Sequence, residues 1–257
     1  MPKTGRPRGT FDPMKVQSFG ATRGLLLYVY CLLCTVVPAS AQTVRPLIAE
    51  LGNPAKGRVE YINDGLTPLN VVLEVRSFAV SETGQISYRS LDPAIRLRLS
   101  TTSFRIQPQQ HYYVFYEATT NVAPQWFVIY AAFSGFPFRT QQGMNVRLEL
   151  PHTVYLLPRK TVDKTEVCVR AEFHSEVNSV LVEVENTGDN FGRVLQTFLA
   201  YPRKKKEEAP GFPIFPHSRR ILQIPLEQKA ASADPPEAVV LQLQNFKIEE
   251  KLQRKEP

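Results

Sequence analysis

Four histidines, His111, His152, His174 and His217, are the side chains of this sequence best suited to hold a metal or move a proton near neutral pH. No two of them stand at the His-x-x-x-His or His-x-His spacing that would aim both at one ion. No Gly-x-Ser-x-Gly elbow presents a serine nucleophile, and no glycine-rich loop offers amides to a phosphate or a dinucleotide. Acidic residues are numerous, yet they fall where solvent-facing strand positions should fall, and no spacing pairs two of them for acid–base work. The chain is therefore expected not to be an enzyme and to need no metal, nucleotide or other cofactor. One segment has a regular pattern of another kind. In Val146-Arg147-Leu148-Glu149-Leu150 the apolar residues occupy every second position, so an extended backbone sends Val146, Leu148 and Leu150 to one face and Arg147 and Glu149 to the other.

The elements that must carry this segment are strands. Arg58-Val59-Glu60-Tyr61-Ile62 alternates and stops at the turn signal Asn63-Asp64-Gly65. Runs at Val71–Val75, Phe78–Val80, Gln85–Tyr88, Ala94–Leu99, Ser103–Ile106, Tyr112–Tyr116, Trp126–Phe133 and Val146–Leu157 follow at intervals of about ten residues, punctuated by Asn, Asp, Gly and Pro. After Pro158 a polar stretch without apolar rhythm reads as a linker, and a second set of strands begins at Val167. The charge run Arg203-Lys204-Lys205-Lys206-Glu207-Glu208 reads as a solvated hairpin tip. Each set spans about one hundred residues, the usual size of one antiparallel sandwich. The expected fold is all-β, with two immunoglobulin-like β-sandwich domains in tandem, residues 42–160 and 161–249, and a charged tail over 250–257.

Residues 1–41 read as a secretory signal peptide. Lys3, Arg6, Arg8, Lys15 and Arg23 lead into the 13-residue apolar run Leu25–Val37, and Pro38 then precedes the small-x-small site Ala39-Ser40-Ala41, with cleavage expected after Ala41. The run is shorter than the roughly 20 residues that span a bilayer. Met14 offers a second possible start that would give a leader of ordinary length. The leader holds five of the 31 basic side chains and one of the 24 acidic ones, so the formal charge of +7 falls to +3 in what remains. That balance removes the electrostatic case for a nucleic-acid partner, and the aromatic run His111-Tyr112-Tyr113-Val114-Phe115-Tyr116 reads as core packing. Of three cysteines only Cys168 lies beyond the leader; in the alternating run Val167–Ala171 it is expected to be a buried thiol.

The order of these segments resembles the periplasmic pilus-assembly chaperones, the PapD-like family, as a divergent member. The resemblance covers most of the chain after residue 41. It rests on Val59–Asp64 as the second strand and its turn, Phe104-Arg105-Ile106-Gln107-Pro108-Gln109-Gln110, Trp126–Tyr130, and above all Val146–Arg159, which is similar to the last strand of the family's first domain. In the second half, Val182–Gly188 and Phe215–Arg220 fall where the family has similar turn and pre-strand segments.

The resemblance implies a periplasmic chaperone that binds pilus, fimbrial or related surface subunits and delivers them for assembly, with an outer-membrane usher as a further partner and no membrane insertion after signal cleavage. It implies that the strand carrying Val146, Leu148 and Leu150 is lent to a subunit whose own sandwich lacks one, by β-strand addition. The same alternation would equally serve a strand that packs on its own core, as in an exported structural or adhesive module. Family chaperones clamp the subunit's terminal carboxylate with an Arg on the first strand and a Lys on the last strand of the first domain. Here Tyr155 stands at the Lys position, Arg45 is the nearest counterpart of the Arg, and Arg159 is a cation just past the strand. A phenol can donate one hydrogen bond but brings no charge.

Overall fold

The computed structural model describes residues 42–135, 148–202, 206–226 and 235–254, without the side chains of Lys206 and Arg254. The expected signal peptide and Val146 lie outside the described residues.

Among the described residues the first sandwich is built from β1 (Gln42–Arg45), β2 (Ile48–Gly52), β3 (Ala55–Asn63), β4 (Leu69–Val80), β5 (Ile86–Ser90), β6 (Ile95–Leu99), β7 (Ser103–Ile106), β8 (Gln110–Thr120), β9 (Gln125–Ser134) and β10 (Leu148–Leu157). One sheet runs β1-β3-β8-β6 and the other β2-β10-β9-β4-β5, with β7 pairing the opening residues of β4. Among the described residues of this half, only β2 and β10 pair in parallel. The chain switches sheets between Arg45 and Ile48, so β1 joins one layer and β2 the other. Alternation explains the core: Val59 and Tyr61 from β3, Val114 and Tyr116 from β8, Phe127, Ile129 and Phe133 from β9, and Val154 and Leu156 from β10 are buried together. Burying one such side chain stabilises the fold by about 1.5–3 kcal/mol.

After a 3-10 turn at Lys164–Glu166 come β11 (Val167–His174), β12 (Ser179–Asn186), β13 (Gly192–Ala200), β14 (Lys206–Ile214), β15 (Ser218–Pro225), β16 (Ala238–Leu243), β17 (Lys247–Lys251) and β18 (Gln253–Arg254). They form the sheets β15-β12-β11-β18 and β14-β13-β16-β17 around a second core that includes Val180, Val182, Val184, Val194, Leu199, Ile214 and Leu241. The protein is thus two immunoglobulin-like sandwiches in tandem. β13 and β14 pair antiparallel with Ala200 opposite Lys206, so Lys206, Glu207 and Glu208 of the charge run stand in a strand and not at a hairpin tip, while Arg203–Lys205 lie outside the described residues.

The two halves repeat one turn device. Asn63 ends β3 fully buried; its Oδ1 accepts the Gly65 N–H at 3.0 Å, while Nδ2 donates to the carbonyls of Thr67, Ile106 and Gln107. Asn186 ends β12 in the same way, accepting the Gly188 N–H at 3.0 Å and donating to the Asn190 carbonyl at 2.8 Å. In both places a buried amide satisfies the backbone of a turn that would otherwise leave polar groups unpaired.

Two expectations are corrected. Cys168 is exposed, not buried. Strand alternation sends Val167, Val169 and Ala171 inward, which puts Cys168 and Arg170 on the outer face. Residues 250–254 are not a loose tail: β17 pairs with β16, β18 pairs with β11, and Ile248 and Leu252 pack on the second core. Charge density alone hid the apolar residues spaced between those charges.

Candidate functional site

β10 is the last strand of the first sandwich and reaches the junction with the second. Its residues divide by parity: Leu148, Leu150, His152, Val154 and Leu156 face the first core, while Tyr155 and Leu157 join a separate aromatic cluster. Leu148 and Leu150 are half-buried against the core, so part of each side chain stays accessible at this end of the strand. β9 pairs with β10 along its length, from Leu148 opposite Phe133 to Leu156 opposite Gln125. On the other side β2 pairs only from Thr153 onward, with Thr153 opposite Ile48. Residues 148–152 therefore run past the start of β2, and among the described residues no strand pairs with them on that side.

His152 is the polar member of the inward face and is fully buried. Its Nδ1 lies 2.6 Å from the Pro46 carbonyl and its Nε2 lies 3.0 Å from the Tyr116 hydroxyl. A carbonyl can only accept, so Nδ1 carries the proton and Nε2 accepts from the Tyr116 O–H. Gly57, opposite Tyr116 on β3, leaves the room that the Tyr116 ring occupies; a Cβ there would collide with it. Burial pushes the His152 imidazole below its usual value, with the Pro46 carbonyl opposing the shift. The histidine thus ties the crossing between β1 and β2 to β10, and no sequence spacing foretold it because Pro46 lies 106 residues away.

Tyr155 is 4% exposed and sits in a cluster drawn from both sandwiches: Phe78 and Val128 from the first, Phe191 and Phe215 from the second. Its ring centroid is 5.0 Å from that of Phe191, and Trp126 meets Phe215 at 4.5 Å. The Arg193 guanidinium, at the start of β13, lies over the Tyr155 ring and pairs with the Glu50 carboxylate on β2. Burial pushes the Tyr155 phenol up, and Arg193 partly offsets that. A second tie lies at the β4–β5 turn, where the Ile221 N–H donates to the Glu82 carbonyl at 2.8 Å and Arg220 donates to the Ser81 carbonyl at 3.1 Å. Gly84 in this turn has φ +89°, and a side chain there would run into Arg220.

The residues assigned from sequence to a carboxylate anchor are not brought together as one group by the contacts described. Arg45 ends β1 on the opposite sheet, exposed and across from Glu60. Tyr155 is buried under the second sandwich, and Arg159 is exposed beyond β10. The cation that touches Tyr155 is Arg193, which sequence reasoning passed over because it follows a turn of the other domain.

No family model matches the chain, and no curated protein matches it. Solved structures do. A chain of the complex of Salmonella enterica SafA pilin with the SafB chaperone superposes with a TM-score of 0.53 at 11% identity, covering 83% of this chain and 97% of that one. The YadV chaperone gives 0.52 at 11% identity over 81% and 96% of the two chains. A chain of the CsuC–CsuE chaperone–tip subunit pre-assembly complex from Acinetobacter baumannii gives 0.51 at 11% over 83% and 100%. The chain therefore has the PapD-like fold of the pilus-assembly chaperones across both of its sandwiches.

Proposed function

We propose that this protein is an exported, cofactor-free chaperone of the periplasm that binds pilus, fimbrial or related surface subunits by lending them the opening half of β10, and releases them for assembly. The observation that carries this reading is the overhang of β10: residues 148–152 extend past β2 with their apolar side chains only half covered. An incomplete sandwich laid against that stretch gains main-chain hydrogen bonds from the strand and apolar cover from Leu148 and Leu150, with Val146 continuing the same parity. The fold shared with chaperones found in complexes with pilin and tip subunits supports the choice of client. No nucleotide is required, since subunit folding and strand exchange can drive such a cycle. Of the residues assigned from sequence to a carboxylate anchor, Arg159, just past β10, and Arg45, at the end of β1, are the exposed cations that a subunit carboxylate would meet singly, while the Tyr155 hydroxyl, buried at the junction, would join them only if that junction opened.

The test is co-expression with a pilin-like subunit encoded beside this gene, where an usher gene is also expected. The unmodified chain should co-purify with the subunit, and the double variant Leu148→Lys, Leu150→Lys should lose it while keeping its strand circular dichroism. Retention of the subunit by that folded variant would overturn strand lending. The packing of Leu148 and Leu150 on their own core favours a second reading, an exported structural or adhesive module whose strands pair only within themselves. Failure of every neighbouring subunit to co-purify would decide for it.

A further inference from the structure

The Thr153 N–H donates to the Leu47 carbonyl at 2.8 Å, so the backbone groups of Thr153 point to the β2 side of β10. Backbone groups alternate in direction along a strand, and those of Pro151, two residues earlier, point to the same side. Pro151 lies before the first β10 residue that β2 covers. Opposite Tyr130 on β9 it therefore occupies a position where the ladder needs no N–H, which is why a proline is tolerated inside a sheet at all. Seen from outside, the consequence is different. A strand arriving on that edge finds a carbonyl and a pyrrolidine ring where every other residue type would offer an N–H.

We propose that Pro151 determines which strands can use this edge: it bars edge-to-edge pairing between two copies of the chain and leaves the edge to an incoming strand of a different protein. Two copies related by a two-fold axis bring two prolines to any pairing that includes residue 151. At least two donors are then missing and two rings must be accommodated. A foreign strand meets only one. Exposed strand edges with apolar neighbours such as Leu148 and Leu150 invite self-association, and proline is one of the residues that blunt them. The bar on self-pairing stands on the edge geometry alone; the reservation for a subunit strand rests on the chaperone reading.

The experiment compares the full chain with Pro151→Thr and Pro151→Ala by sedimentation velocity and by hydrogen exchange of peptides covering residues 148–155. Both substitutions restore the N–H at a β-compatible position, and the alanine variant serves if threonine disturbs packing. The unmodified chain should be monomeric, while the variants should dimerise at least about tenfold more tightly, with new protection over 148–152. Variants that stay monomeric up to about 0.5 mM, dimers of equal affinity with and without the proline, or an unmodified chain already paired through this edge would each overturn the proposal. Subunit co-purification is read separately. If the variants dimerise and neither they nor the unmodified chain binds a neighbouring subunit, the chaperone reading falls and the bar on self-pairing stands.

Discussion

The Arg193 guanidinium of the second sandwich lies 5.1 Å from the ring centroid of Tyr155 on β10. Its Nε pairs with Glu50 on β2, so one side chain joins β13 to two neighbouring strands of the first sandwich. The Arg193 and Glu50 side chains are 20% and 32% exposed, which lifts the pair out of the class of solvent-screened surface bridges. Removing the guanidinium strands a half-buried carboxylate and uncovers an aromatic face. Arg193→Ala should destabilise the protein by about 2 kcal/mol in urea unfolding. A double-mutant cycle with Glu50→Gln should return a coupling of about 1 kcal/mol. Unfolding of Arg193→Ala at the unmodified midpoint would show that the contact contributes nothing.

His152 makes stability depend on pH in a defined direction. Its folded-state value lies below the ordinary histidine value of about 6.5, because burial disfavours the imidazolium. Below about pH 6.5 the unfolded chain therefore binds a proton that the folded chain resists, and stability falls as pH drops; above that value the contribution is complete and flat. Thermal midpoints measured from pH 8 to pH 5 should decline on the acid side, and His152→Gln should flatten that part of the profile. Gln can still donate to Pro46 and accept from Tyr116, so the cost at pH 8 should stay within about 1–3 kcal/mol. An acid decline as steep in the variant as in the unmodified chain would remove His152 as its source.

Asn63 and Asn186 give a test of how independent the sandwiches are. Asn63→Ala leaves the carbonyls of Thr67, Ile106 and Gln107 and the Gly65 N–H without their amide, at a cost of about 2–3 kcal/mol. Asn63→Asp should be worse, since a carboxylate would face those same carbonyls. Asn186→Ala, with the Asn190 carbonyl and the Gly188 N–H at stake, should act in the second half. Hydrogen exchange would separate them: loss of protection confined to β3 and β8 for Asn63→Ala and to β11, β12 and β15 for Asn186→Ala. Equal loss in both halves from either variant would mean that the aromatic junction couples them into one cooperative unit.

These asparagines also show what the linear pattern could carry. Asn63-Asp64-Gly65 and Asn186-Thr187-Gly188 read as turns because Asx and Gly act locally, within two residues. β10 read as a strand for the same reason, since alternation is a property of neighbours. The junction around Tyr155 did not. Phe191 and Phe215 lie outside the strands, at ends where no period marks a side chain as inward, and Arg193 finds Glu50 across 143 residues. The overhang of β10 was equally out of reach, because it depends on where β2 begins relative to a strand one hundred residues later. Pro151 was visible throughout, yet its direction toward the edge needed the Thr153 to Leu47 bond.

Cys168 tests the parity argument by chemistry. Val167, Val169 and Ala171 turn toward the second core, so the Cys168 side chain stands on the outer face of β11, opposite Glu185 of β12. β18 pairs β11 only at Glu172 and Phe173, which leaves the Cys168 end of the strand uncovered by it. A thiol in that place should react with a small aromatic disulfide reagent in the folded protein, to one equivalent, before any denaturant is added. Peptide mass mapping assigns the label, separating Cys168 from Cys31 and Cys34. Because the side chain is exposed, Cys168→Ser should shift stability by no more than about 0.5 kcal/mol. Labelling that waits for global unfolding, or a serine variant destabilised by several times that amount, would place the thiol in the core and reverse the assigned face of β11.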